Sequence, residues 1–110
     1  MAEKESFKRG TIPMVLLSLL KEQDMYGYQL GQELKLRSGD RYSLLETSMY
    51  PVLYRLEDSG YITASSSNEG RRRIVHYHIT DSGLIYLEQL KAEYLELTAG
   101  IYAILGSIQE

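Results

Sequence analysis

Glu46 to Ile62, ETSMYPVLYRLEDSGYI, is the stretch from which the rest of the chain can be read. Met49, Val52, Leu53 and Leu56 stand at i, i+3, i+4 and i+7, the spacing of one buried stripe on a helix. Thr47, Ser48, Pro51, Tyr54 and Arg55 turn the other way. The outward face therefore carries hydroxyls, an aromatic ring and a guanidinium. The pattern predicts a helix that Gly60 stops, and a first-turn reading of Pro51 would make Ser48 its cap.

Downstream, Tyr61 to Ser66 and Arg72 to Ile79 read as paired strands around a tip of Ser67, Asn68, Glu69 and Gly70. Val75, Tyr77 and Ile79 should face the core, because side chains alternate along a strand, with Ile74, His76 and His78 on the other face. Arg71, Arg72 and Arg73 concentrate positive charge beside the tip. Thr80 before Asp81 is a helix-capping signal with a carboxylate in the first turn. In the helix that follows, Leu87, Leu90, Tyr94, Leu97, Ile101, Ile104 and Ile108 alternate spacings of three and four, as in a coiled-coil seam. Such a helix is roughly 40 Å long at 1.5 Å per residue, more than so small a body can cover. The seam therefore predicts a homodimer. Gly100 and Gly106 weaken the helix end by about 1 kcal/mol each.

Upstream, Met1 to Phe7 show no periodicity and are expected to fray. Thr11 can cap a helix running to Glu22, with Pro13 in its first turn. A second helix is expected from Tyr26 to Arg37, where Gly27 and Gly31 would let another helix come close. Gly39 follows as a stop.

Composition narrows the function. At 110 residues the chain fits one domain with a modest core. Without cysteine there is no disulfide framework, thiol catalysis or cysteine-ligated zinc, which suits a cytoplasmic location. The longest apolar run, Ile12 to Leu20, is interrupted and too short to span a bilayer, and no targeting or membrane segment is visible. No Ser-His-acid arrangement, phosphate-cradling glycine loop or paired buried acids can be picked out, so the chain does not read as an enzyme. His76 and His78 lack a third ligand, and neither a metal nor a cofactor is expected. A net charge of −3 argues by itself against a nucleic-acid partner. The distribution argues the other way. Lys4, Lys8 and Arg9 join the three hairpin arginines as basic groups, whereas Glu88, Glu93, Glu96 and Glu110 gather in the last segment.

The order of these pieces, with Tyr50-Pro51 in the exposed helix and Gly27-Tyr28-Gln29-Leu30 upstream, resembles the PadR family of winged-helix transcriptional regulators. The resemblance implies a mainly α fold with a small β-hairpin, a winged helix-turn-helix DNA-binding domain over 1–80 and a dimerisation helix over 81–110. It implies a repressor that binds a pseudo-palindromic double-stranded operator as a homodimer, with DNA contacts from Thr47, Ser48, Tyr50, Pro51, Tyr54 and Arg55 and from the basic wing at Arg71 to Arg73. Some family members bind a small aromatic effector between the last helices through a tryptophan. This chain has none, so a stacking site would use Phe7, Tyr94 or Tyr102. The resemblance implies an earlier start for the recognition helix, over 46–59 with Pro51 inside its first turns, but Leu45 stands where the family usually has a serine-like cap, which leaves that start open. The competing reading is a winged helix that binds a protein partner instead of DNA. Neutralising the arginines would separate the two, since only a DNA contact depends steeply on salt.

Overall fold

The computed structural model describes residues 2–106. In chain order they form α1 (Ala2–Arg9), α2 (Ile12–Glu22), β1 (Met25–Tyr26), α3 (Gly27–Ser38), α4 (Glu46–Asp58), β2 (Ile62–Glu69), β3 (Arg72–Ile79) and α5 (Asp81–Leu105). The fold is mainly α with a small antiparallel sheet and a long last helix, as expected. Helix α2 is central: Leu16, Leu17 and Leu20 are fully buried and meet Leu30 of α3, Leu53 of α4, Ile62 of β2 and Leu87 of α5 in one cluster. The predicted stripe of α4, Met49, Val52, Leu53 and Leu56, is buried throughout.

Helix α1 forms where sequence periodicity gave no element. Lys8 donates from Nζ to the Ser43 carbonyl (2.6 Å) and lies over the Tyr42 ring, and Thr11 Oγ1 donates to the Lys8 carbonyl at the end of the helix. Thr11 stands at the start of α2, as predicted, without capping it: its backbone is already helical, and its hydroxyl is shared with Lys8 and the Tyr42 hydroxyl (2.7 Å). These contacts are tertiary, and periodicity does not register them.

The sheet has a third strand that sequence did not suggest. Met25 pairs with Tyr77 and Tyr26 with His76, so the order is β1-β3-β2. Two residues are too few to show alternation. The hairpin is also longer than expected: pairing continues out to Glu69 opposite Arg72, leaving a two-residue turn of Gly70 and Arg71 in place of a four-residue tip. Gly70 has φ +63°, the left-handed conformation that a tight turn requires of its first central residue. Tyr77 and Ile79 are buried, as predicted, with Val75 half-buried.

Helix α5 starts where Thr80 Oγ1 accepts the Gly83 N–H (3.0 Å), the expected cap, and the same hydroxyl donates to the Gly60 carbonyl. The first two turns of α5 belong to the core. A Cβ on Gly83 would strike the Tyr61 carbonyl and lie 2.8 Å from Ile79 Cγ1, and the Tyr61 and Tyr86 rings stack at 4.1 Å. Leu87 is fully buried within the chain and so is not available to the seam expected to start there; Leu90 is half-buried at the edge of the core.

Candidate nucleic-acid interface

Helix α4 and the hairpin stand side by side. Leu45 precedes α4 in extended conformation and offers no side-chain cap, and the Ser48 and Met49 N–H groups bond its carbonyl (2.9 and 3.0 Å). The helix thus starts at Glu46. No side chain caps its first backbone donors, an end that favours negative charge, although Glu46 stands in the same turn. Pro51 lies well inside the helix and has no N–H to give the Thr47 carbonyl one turn back.

Thr47, Pro51, Tyr54 and Arg55 are exposed and share the outward face; Ser48 and Tyr50 are half-buried on its flanks. Of the two hydroxyls near the helix start, Thr47 is therefore the freer. The Tyr50 ring turns toward α3, tilted against Tyr54 at 6.2 Å, and burial together with the Glu46 carboxylate raises its phenol pKa.

Arg71, Arg72 and Arg73 are all exposed, and none forms an ion pair among the described residues. They do not form one cluster. Arg71 lies in the turn, while Arg72 opposite Glu69 and Arg73 opposite Asn68 occupy successive strand positions. Between this wing and α4 lies an open cleft of about 610 Å³, walled by Tyr26, Tyr28, Tyr50 and Tyr54 and edged by Arg72 and Arg73. Sequence reasoning missed Tyr26, which reaches the cleft from β1, and Tyr28, which follows it on the first turn of α3, because only the pairing reveals β1. Tyr77 lies deeper, and burial pushes its phenol up to about 12.

The histidines are otherwise engaged. His78 Nδ1 lies 2.8 Å from an Asp24 carboxylate oxygen, and Tyr26 meets the His76 ring edge-on at 5.7 Å. No metal-binding cluster exists among the described residues.

The outer part of α5 is largely uncovered. Tyr94, Leu97, Ile101 and Ile104 are exposed, and Ile108 lies outside the described residues. Phe7, Met14, Leu90, Tyr94, Leu97 and Ile101 line an apolar groove of about 410 Å³ between α5 and the helices α1 and α2. Of the three aromatics expected to stack on a ligand, Phe7 and Tyr94 thus share a groove; Tyr102 lies outside its lining. Ile85, Leu95 and Tyr102 are also exposed, a second apolar set on α5 that the seam did not include.

Residues 16–89 match the Transcriptional regulator PadR-like family. The chain belongs to this family. A transcriptional regulator from Clostridium thermocellum has a similar structure, with TM-score 0.83 and 33% identity over 93% of this chain and 99% of that one. An uncharacterised protein of Lysinibacillus sphaericus is 35% identical over 81% of this chain and 83% of its own length. Bacillus subtilis PadR, solved in complex with operator DNA, matches with TM-score 0.67 and 29% identity over 72% of this chain and 45% of that one. PadR-like proteins are transcriptional regulators and not enzymes, and this one has no helix among the described residues long and apolar enough to cross a membrane.

Proposed function

We propose that this PadR-like regulator is a repressor that binds a pseudo-palindromic operator in duplex DNA as a homodimer, in the cytoplasm. Helix α4 enters the major groove, where Thr47, Ser48 and Arg55 reach base edges, and Arg71 to Arg73 hold flanking phosphates. The exposed seam of α5, Tyr94, Leu97, Ile101 and Ile104, joins two copies and sets the spacing of the two recognition helices. A flat aromatic effector in the groove between Phe7 and Tyr94 relieves binding by favouring a different spacing. The observation that carries the DNA reading is the pairing of an outward helix face with three exposed arginines that form no ion pair among the described residues, two of them edging an open cleft that Glu46 and Glu69 also line. The operator complex of Bacillus subtilis PadR supports it by likeness.

The test is the salt dependence of binding to a duplex selected by the wild-type protein from a random pool. Each lost phosphate contact removes about 0.9 from the slope of log affinity against log salt, and a dimer carries each substitution twice. Arg71→Ala with Arg72→Ala should therefore flatten the slope by up to about 3.6, with the fold intact because both side chains are exposed. An unchanged slope, or no selectable duplex, defeats this reading and favours a protein-interaction module.

A further inference from the structure

We propose that Tyr50 acts as a positioning residue and not as a DNA contact: its ring, seated on the bare Cα of Gly27, sets the distance between the recognition helix and the wing. The proposal rests on the DNA-binding reading above and departs at one residue, Tyr50, from the contacts that the family resemblance implies. Gly27 opens α3 directly after β1, and β1 is hydrogen-bonded to wing strand β3 through the pairs Met25–Tyr77 and Tyr26–His76. The Tyr26 N–H is also held by Gln29 Oε1 at 3.2 Å. Gly27 is thereby anchored to the wing.

A Cβ at Gly27 would fall within the phenol of Tyr50, 2.7 Å from Cζ and 3.1 Å from Cε1. Glycine is needed there for space, since Gly27 is not among the residues with positive φ. Gly31, one turn later, would meet nothing within 4 Å, so the close approach is local to Tyr50 and not a general helix–helix contact. A continuous path then runs from β3 through β1 and Gly27 to the Tyr50 ring and α4. The Tyr50 hydroxyl sits against α3, whereas Tyr54, one turn on, is exposed toward the cleft. Of the two tyrosines, Tyr54 is the one free to meet DNA.

The experiment compares Gly27→Ala, Tyr50→Leu, the double variant and Tyr50→Phe in the full chain. Affinity for the selected duplex, its salt slope and thermal melting without DNA are measured for each. Gly27→Ala should weaken duplex binding tenfold or more and lower the melting temperature, because its Cβ meets the ring. Combining it with Tyr50→Leu, which lacks those ring atoms, should cost less in melting temperature than the sum of the single changes. Tyr50→Phe should keep the wild-type salt slope. A slope reduced by Tyr50→Phe would make the hydroxyl a phosphate contact and overturn the proposal, as would additive melting shifts for Gly27→Ala and Tyr50→Leu. Should the wild type select no duplex, the functional reading fails separately, and the melting cycle still decides whether Gly27 and Tyr50 form the joint.

Discussion

Gly83→Ala tests how α5 is attached to the body that carries the recognition helix. In an ordinary helix this change stabilises, by about 1 kcal/mol of propensity. Here the added methyl would strike the Tyr61 carbonyl and press Ile79 Cγ1 at 2.8 Å. That carbonyl accepts the Thr80 N–H (3.0 Å), and Thr80 is the cap whose hydroxyl holds the Gly83 N–H. Overpacking costs about 1 to 3 kcal/mol. A disturbed cap adds about 1. Set against the propensity gain, the net is a loss of about 1 to 3 kcal/mol. For a domain of this size that lowers the melting temperature by about 4 to 12 °C. Gly31→Ala is the internal control: it lies inside α3, its Cβ would meet nothing within 4 Å, and it should raise stability by about 0.5 to 1 kcal/mol. Thermal melts followed by circular dichroism, at one fixed protein concentration because dimerisation would shift the midpoint, check both. A Gly83→Ala protein that melts at or above wild type would refute the packing argument.

Leu97→Glu places a charge in the exposed seam of α5, and should convert a dimer in sedimentation into monomer or unfolded chain; a wild-type protein that sediments as a monomer at micromolar concentration removes the dimer. Arg55→Ala should cost about 1 to 3 kcal/mol on the selected duplex and much less on random DNA, with equal losses reassigning Arg55 to phosphate. Planar aromatic compounds that fill the Phe7–Tyr94 groove should raise thermal stability and shift duplex affinity over one concentration range, because linkage couples the two; a screen that finds neither change leaves a constitutive binder.

How much of this was legible beforehand follows from the range of the forces involved. The stripe of α4, the Thr80 cap, the alternation of β3 and the long helix α5 are local signals, set by residues within one or two turns of each other, and the chain order of these elements carried the family resemblance. The outward face of Thr47, Pro51, Tyr54 and Arg55 followed from the same geometry, because a stripe that is buried defines the side that is not. Tertiary contact decided the rest. Strand β1 exists because β3 offers it an edge, helix α1 because Tyr42 and Ser43 hold Lys8, and the place of Tyr50 because Gly27 leaves room for a ring. Leu87 and Leu97 occupy equivalent-looking seam positions in sequence; the first is buried and the second is exposed because the body ends between them. Periodicity tells which side of an element seeks cover. Only the packed chain decides what covers it, since that depends on residues far apart in sequence.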